Sequence, residues 1–146
     1  MTAGAWALLA AVAATAVFGL VWRAREGHVR SGNREEDLLS RLPEGLRARL
    51  DEAPDEGEAV TLLQLSTTFC APCRHTRVLL SDLAGRTEGV RHVEIDLTDH
   101  PEWSTPLGVH RTPTTLALDR AGRELFRVAG VPRRDALAET LRPHLP

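Results

Sequence analysis

The chain has 146 residues, a formal net charge of −2 and only two cysteines. Acidic residues outnumber the eighteen basic ones, all of them arginine, so we expect no nucleic-acid-binding surface. Two cysteines cannot form a disulfide framework, and the length beyond the apolar N-terminus suits one modest hydrophobic core. The complete absence of lysine and tyrosine indicates the codon bias of a G+C-rich genome.

Residues 3–22 contain no charged side chain and form the first predicted element. About 20 residues in a helix span the hydrocarbon core of a bilayer, which is about 30 Å thick. Trp6 and Trp22 lie near the ends, where aromatic rings favour the interface. A cleaved secretory signal is the rival interpretation, but residues 1–5 lack a basic n-region. We therefore predict that residues 1–22 form a retained transmembrane anchor in contact with lipid through residues 3–22.

The residues that follow the predicted span indicate its orientation. Arg23, Arg25, Arg30 and Arg34 lie there against a single acidic residue, Glu26, in the same stretch. Basic residues accumulate on the cytoplasmic side of membrane proteins. We expect a single-pass protein of the bacterial cell membrane with its C-terminal part in the cytoplasm.

Residues 23–58 are predicted to be a polar tether with a broken amphipathic helix. This segment has seven arginines against ten acidic residues. Leucine recurs every fourth position, at Leu38, Leu42, Leu46 and Leu50. That spacing forms one apolar stripe on a helix, but Pro43 and Gly45 are expected to interrupt it. We predict that the helix packs on the domain and that Ala53 to Gly57 form a loop.

The two cysteines lie between a predicted strand and a predicted helix. Residues 60–65 are apolar and partly β-branched, as in a buried strand. Arg74 to Ala84 have helical spacing, with an apolar side formed by Val78, Leu79 and Leu83. The segment between them is therefore expected to place its cysteines at the start of a helix.

At that place Cys70 lies near the helix N-cap, where free N–H groups and the helix dipole lower a thiol pKa. Pro72 suits the first helical turn, which needs no N–H donor there. Cys73 lies about one turn further in and is expected to be shielded. We predict that Cys70 is the attacking thiolate and that Cys73 resolves the mixed disulfide.

Three metal or haem alternatives compete with a redox pair. A structural zinc site needs four ligands, and no third cysteine exists. Covalent haem attachment requires histidine directly after the second cysteine, but Arg74 stands there and His75 follows one position later. Cu(I) held by Cys70, Cys73 and His75 stays open, because thiolates and imidazole suit this ion.

The C-terminal part predicts alternating strands and helices. Val93, Ile95 and Leu97 alternate with polar residues, which is typical of a half-buried strand. A short helix follows, with a capping box from Asp99 to Glu102 at its start and Pro106 at its end. Residues 114–118 and 124–128 are predicted to form a hairpin that turns at residues 119–122. Pro132 opens a last helix and Pro143 ends it, and one face of this helix is formed by Ala136, Leu137, Thr140 and Leu141.

Four ordered segments then resemble the thioredoxin family. The hexapeptide from Phe69 to Arg74 (FCAPCR) resembles the active-site sequence Trp-Cys-Gly-Pro-Cys-Lys. Val93 to Asp96 resemble the central strand of the family, Gly108 to Thr114 resemble its Gly-Val-x-x-x-Pro-Thr segment, and Ala129-Gly130 resemble the glycine beside its substrate groove. The resemblance covers residues 59–146. It implies a thioredoxin-like α/β fold, a mixed central sheet flanked by helices, with residues 23–58 in place of the first strand and helix.

The resemblance also implies the site residues. Cys70 and Cys73 are the catalytic pair, and the motif and groove comprise Phe69, Ala71, Pro72, Thr112, Pro113 and Gly130, with Pro113 in the cis conformation. Arg74 either stabilises the Cys70 thiolate or is a solvated helix residue.

Two positions depart from the family pattern. Gln64 stands where the family has a buried Asp that assists proton transfer, and Ser66 stands where it has a tryptophan. Gln cannot ionise, so deprotonation of the second cysteine would need water or another group. Trp103 is expected to be a packed anchor, and His75, His92 and His110 are given no role.

The sequence thus predicts a membrane-tethered oxidoreductase that reduces protein disulfides and needs no cofactor. The partners that this implies are disulfide-containing proteins and, for recharging, thioredoxin reductase or a membrane thiol donor. The alternative is a membrane-tethered binding or Cu(I)-handling module that uses the same thiols without turnover.

Overall fold

The computed structural model describes residues 3–25, 27–31, 42–51 and 57–146. Predictions that concern Glu26, Arg34, Leu38 and residues 53–56 of the expected loop lie outside the described residues. The helices are α1 (Ala3–Arg25), α2 (Glu44–Asp51), α3 (Ala71–Arg86) and α4 (Arg134–Leu141), with 3-10 turns at Pro101–Trp103 and Arg142–His144. The strands are β1 (Val29–Ser31), β2 (Val60–Ser66), β3 (Val90–Asp96), β4 (Thr114–Asp119) and β5 (Glu124–Ala129).

The strands form one mixed sheet in the order β1-β5-β4-β2-β3. The β2–β3 pair is parallel, and the β2–β4, β4–β5 and β1–β5 pairs are antiparallel. The predicted α/β fold with a mixed sheet is confirmed. One implication of the resemblance is wrong for the part of the chain that the structure describes: β3 lies at the end of the sheet, and β4 and β2 lie at its centre.

Strand β1 was not predicted, because its three residues lie in a polar segment with too little alternation to show a strand. Val29 pairs with Val128 and Ser31 pairs with Phe126, so β1 extends the sheet beyond β5. The segment that directly follows α1 is therefore part of the folded sheet. Val29, the first residue of β1, lies opposite Val128 near the C-terminus of β5. The chain therefore enters the sheet at the same edge of the molecule at which β5 ends.

The predicted helix of the tether is present as α2 and packs on the domain. Its buried leucines, Leu46 and Leu50, join a core cluster that includes Trp103. The helix begins directly after Pro43, but the expected interruption at Gly45 is wrong. A Cβ at Gly45 would lie 3.3 Å from the Trp103 ring, so the glycine lets helix and ring pack closely. Trp103 is only 9% exposed, which confirms it as a packed anchor.

The predicted apolar side of α3 is confirmed for Leu83, which is buried, and for Leu79, which packs partly buried against the core, but it is wrong for Val78. Val78 is 69% exposed, whereas the buried residues of this helix are Cys73, Thr76, Leu80 and Leu83. Their spacing of three and four residues continues from Cys73, so the second cysteine and not Val78 sets the buried face. As a result, α3 presents Cys73 to the sheet.

Three further predictions concern element ends. The hairpin of β4 and β5 is confirmed, with Asp119 accepting a backbone hydrogen bond from Gly122 across the turn. The capping box at Asp99 is wrong, because the N-cap of the 3-10 turn is His100 and no side chain caps it. The last helix begins at Arg134, two residues after Pro132, and the chain continues through Pro143 as a 3-10 turn.

Helix α1 is apolar up to Trp22, and nearly all of its described side chains are exposed. Residues 4–25 have a mean hydropathy of 2.1, and none of this apolar stretch is buried against the domain. The hydroxyl of Thr15 donates to the carbonyl oxygen of Ala11 at 2.9 Å, so this polar group is satisfied within the helix. By length and composition α1 suits either a membrane span or a signal sequence.

Candidate active site

The two cysteines lie where β2 ends and α3 begins. Cys70 and Cys73 form a disulfide with a Cα–Cα distance of 5.2 Å. Cys70 is the N-cap of α3, as predicted, and its Sγ accepts a hydrogen bond from the backbone N–H of Cys73 at 3.1 Å. An N–H group and a helix N-terminus directed at this sulfur favour negative charge on it once the disulfide opens.

The two sulfur atoms differ in access. Cys70 is half-buried, whereas Cys73 is only 2% exposed, because it lies on the buried side of the first turn of α3. An incoming disulfide can therefore reach Cys70 first. The neighbouring motif residues are open to solvent: Phe69 is 98% exposed, and Ala71, Pro72 and Arg74 are also exposed. This end of the molecule offers an apolar side chain directly beside the accessible sulfur.

A second loop faces the dithiol. The Thr112–Pro113 peptide bond is cis, which confirms that prediction. The hydroxyl oxygens of Thr112 and Thr67 are 3.2 Å apart, and the N–H of Cys70 donates to the carbonyl oxygen of Thr67 at 3.2 Å. Gly130 donates its N–H to the carbonyl oxygen of Pro113 at 2.8 Å. The structure thus brings the dithiol, the proline loop and the glycine that follows β5 together.

Gln64 lies completely buried beneath α3. Its Nε2 donates to the carbonyl oxygen of Cys73 at 2.9 Å and lies 3.3 Å from Oε1 of Glu94. Since both partners are acceptors, the amide nitrogen must face them, and the Oε1 of Gln64 faces Nε2 of His92 at 3.1 Å. The residue in the place of the family's buried carboxylate is therefore a donor to the active-site helix.

His92 completes this network, although sequence reasoning gave it no role. Because Oε1 of Gln64 accepts, Nε2 of His92 must carry a proton, and Nδ1 accepts from the hydroxyl of Ser81 at 2.9 Å. Burial lowers the pKa of His92, against the opposing effect of the Glu94 carboxylate. The missed signal is the period of β3: His92 and Glu94 lie two residues apart and so share one face of the strand.

Glu94 is itself paired with Arg77 on α3. Nη2 of Arg77 donates to Oε1 of Glu94 at 2.9 Å, and Nε of Arg77 contacts the other carboxylate oxygen. This interaction raises the pKa of Arg77. The network beneath α3 thus combines one ion pair with the neutral side chains of Gln64, His92 and Ser81.

The loop before Cys70 is held by a third set of contacts that sequence reasoning also missed. The N–H of Thr68 donates to Oγ1 of Thr98 at 2.9 Å, and the hydroxyl of Thr68 donates to Oδ2 of Asp96 at 3.2 Å. Thr98 donates its N–H to Oδ1 of Asp96 at 2.8 Å. The hydrogen bonds from Thr98 hold the pKa of Asp96 below its usual value. Ser66, the second departure from the family pattern, is buried and donates to the carbonyl oxygen of Ile95 at 3.4 Å.

No group of three His, Cys, Asp or Glu side chains that could hold a metal ion occurs among the described residues. His75 is exposed on α3 and does not form such a group with the two cysteines.

Comparison with known proteins points in the same direction. A family model described as Thioredoxin matches residues 48–143. A thioredoxin of Chlamydia caviae is 28% identical over 85 residues, which are 58% of this chain and 82% of that protein. A thioredoxin of Staphylococcus saprophyticus is 28% identical over 87 residues, which are 59% of this chain and 83% of that protein.

Solved structures agree in fold. A mutant thioredoxin from Halobacterium salinarum superimposes with a TM-score of 0.55 at 22% identity, covering 61% of this chain and 77% of that one. The oxidized mitochondrial thioredoxin 3 from Saccharomyces cerevisiae has a TM-score of 0.55 at 17% identity, covering 73% of this chain and 98% of that one. At these identities the likeness establishes the fold alone.

Proposed function

Because the chain belongs to the thioredoxin family and is a thiol–disulfide oxidoreductase, we propose that it reduces protein disulfides through Cys70 and Cys73 while α1 holds it in a bacterial membrane. The observation that carries the proposal is the unequal access of the two sulfurs. Cys70 is half-buried at the helix N-cap, and Cys73 is 2% exposed behind it. One sulfur is placed to attack and the other to resolve.

In the proposed reaction the Cys70 thiolate attacks one sulfur of a substrate disulfide. A Cys70–substrate disulfide forms, the substrate S–S bond breaks, and the second substrate sulfur leaves as a thiolate that takes up a proton. Cys73, after losing its proton, attacks the Cys70 sulfur and releases the first substrate sulfur as a thiolate, which is also protonated. The substrate gains two electrons and two protons, and the enzyme ends as the Cys70–Cys73 disulfide.

The reaction needs no prosthetic group, but the oxidised enzyme must be reduced again by a dithiol. We assign this to thioredoxin reductase or to a membrane thiol donor. In this proposal Thr112, Pro113 and Gly130 form the wall opposite the dithiol, which is supported by the contact of Thr112 with Thr67 and by the hydrogen bond from Gly130 to Pro113, and the exposed Phe69 is the apolar contact for an incoming chain. In this proposal the groove between them binds the extended segment that carries the substrate disulfide.

The membrane anchor is supported by the exposure of α1. Its large apolar side chains, among them Trp6, Leu8, Phe18 and Trp22, are 47–68% exposed, and contact of so much apolar surface with water is unfavourable. Lipid removes that cost. We propose that residues 1–22 are the anchor, residues 23–58 the connecting segment and residues 59–146 the catalytic domain, with the domain in the cytoplasm.

The function is tested by insulin reduction with dithiothreitol as the electron donor. We expect the full chain to accelerate precipitation of the insulin B chain and expect Cys70→Ser to remove the acceleration. Cys73→Ser should accumulate a mixed disulfide, which also captures natural substrates. An inactive wild-type protein whose two thiols titrate one equivalent of Cu(I) would overturn the proposal in favour of a metal-handling module.

A further inference from the structure

The segment that follows α1 is hydrogen-bonded to the wall of the active-site groove. The carbonyl oxygen of Ala129 accepts from the N–H of Gly27 at 3.2 Å and from Nη2 of Arg111 at 2.8 Å. Arg111 directly precedes the Thr112–Pro113 peptide, and Ala129 directly precedes Gly130. Ala129 is therefore the point at which the juxtamembrane chain, the proline loop and the end of β5 meet.

The fit at this point requires glycine. Gly27 is buried with a φ of +71°, and a Cβ there would lie 2.4 Å from the carbonyl oxygen of Val131. Any other residue would face both a left-handed backbone and a backbone clash. The contact is thus between main chains on both sides. From Gly27 the chain continues into β1, which pairs with β5.

The distance from the end of the span to the groove is short. Helix α1 ends at Arg25, and one residue separates it from Gly27. Two Cα steps cover at most about 7.6 Å, so the hydrogen bonds through Ala129 and Gly130 place Pro113 within about 20 Å of the end of α1. The hydroxyl contact between Thr112 and Thr67 continues this path to the loop that carries Cys70.

We propose that the substrate of this enzyme is a disulfide on a protein attached to or embedded in the same membrane, presented within about 25 Å of the end of the span at Trp22. The inference rests on the proposed function, since it takes α1 as a membrane span. A domain on a long flexible linker would sample a wide volume. Here the hydrogen bonds of Gly27 and β1 hold the groove beside the membrane.

The charge at this end of the molecule agrees with such a position. Arg23, Arg25, Arg30 and Arg133 are all exposed near the point where α1 joins the domain. Basic residues this close to an anionic leaflet are attracted to it. The exposed carboxylate of Glu139 lies in the same region and opposes part of the attraction. The net effect favours a domain that stays close to the lipid headgroups.

The experiment uses the full chain in vesicles that contain anionic lipid, with dithiothreitol as the electron donor. The probes are one self-quenched disulfide peptide in three forms: free in solution, attached directly to a lipid headgroup, and attached to the headgroup through a long polyethylene glycol spacer. The variant has about twelve Gly and Ser residues inserted after Glu26, which leaves Gly27 and the groove unchanged but separates the domain from the span.

We expect the wild-type protein to reduce the directly attached peptide about tenfold faster than the spacer-attached peptide, because the groove and the short probe share a thin layer above the membrane. The insertion should bring that ratio close to one while leaving reduction of the free peptide unchanged. Gly27→Ala should lower the ratio as well. Gly57→Ala is the matched control, because nothing lies within 4 Å of a Cβ there.

An equal ratio for the wild-type protein and the insertion variant would overturn the inference and leave the proposed function intact. Failure of the proposed function has a different signature, which overturns both proposals: the protein does not float with the vesicles, or it does not reduce the free peptide.

Discussion

At the scale of single residues, the buried amide of Gln64 determines what the second cysteine contacts. Its Nε2 donates to the carbonyl oxygen of Cys73 and also lies against Glu94, and its Oε1 faces Nε2 of His92. All of these contacts hold α3 in place, but none supplies a base for the Cys73 thiol. Burial disfavours the thiolate, so we expect resolution of the mixed disulfide to be slow at neutral pH.

Replacing Gln64 by Asp should accelerate this step near pH 7. Burial and the nearby Glu94 raise the pKa of the introduced carboxyl group, which brings it into the range where it can accept a proton. The same change should lower the free energy of unfolding, because a carboxyl group replaces a hydrogen-bonded amide at a site that excludes water. The measurement is stopped-flow decay of a preformed Cys70 mixed disulfide across pH. Gln64→Asn is the control, and equal rates for all three proteins would contradict the prediction.

His92 should make the protein less stable in mild acid. Burial lowers the pKa of His92 below its unfolded value of about 6.5, so the unfolded chain binds the proton more readily than the folded one. The free energy of unfolding should therefore fall as the pH drops below about 6.5 and should not depend on His92 above that value.

The test is urea unfolding between about pH 5 and pH 7.5. His92→Gln keeps a donor for Gln64 and an acceptor for Ser81 but does not titrate, so its stability should fall less over this range. The lowered pKa values of Asp82 and Asp96 act only below about pH 4, outside the window. Identical pH slopes for the two proteins would show that His92 is not the group responsible.

At the scale of elements, the connecting segment between α1 and β2 contributes to the fold and is more than a linker. Strand β1 extends the sheet, and α2 buries Leu46 and Leu50 against the cluster that contains Trp103. The family model begins at residue 48, so it includes only the last part of α2. Residues N-terminal to that match therefore cover one side of the catalytic domain.

Leu46→Ala should destabilise the domain by about 2–4 kcal/mol, because Leu46 is completely buried and its removal leaves a cavity. Val78→Ala on α3 is the matched control: Val78 is 69% exposed, and its truncation should change stability by no more than about 0.5 kcal/mol. Chemical unfolding followed by circular dichroism measures both. A Leu46→Ala protein as stable as the control would show that α2 does not pack on the domain in solution.

At the scale of the whole molecule, the arginines that follow the predicted membrane span and the proposed reducing role of the domain predict the same location. Both favour the cytoplasm, where a dithiol is kept reduced.

We expect a tag placed after Pro146 to be inaccessible from outside intact cells and to become accessible after the membrane is opened. External protease that removes the domain from intact cells would reverse the orientation and indicate an exported thiol protein that is recharged through the membrane.

The direction of electron flow gives a further prediction for the whole protein. The Ala-Pro pair between the cysteines resembles the spacer of thioredoxin, and we expect a reduction potential near the thioredoxin value of about −270 mV. Equilibration against glutathione measures it. A value above about −180 mV would place the protein with the oxidants and contradict its proposed role as a reductase.

Local chemistry accounts for what the sequence determined by itself. Cys70 at a helix N-cap, the hairpin of β4 and β5 and the apolar α1 all depend on short segments with distinctive residues, whereas the cis bond before Pro113 was expected only from the family resemblance. A cap, a turn or an apolar stretch is specified within a few residues, so composition and spacing are enough to predict it.

Only the tertiary structure decided the contacts between segments that are distant in the chain. The pairing of β1 with β5, the edge position of β3, the His92–Gln64 network and the meeting of Gly27 with Ala129 join residues far apart in sequence. Such contacts depend on which strands pair and in which register. A one-residue shift of register would turn His92 and Glu94 away from Gln64, and no local pattern in the sequence excludes that shift.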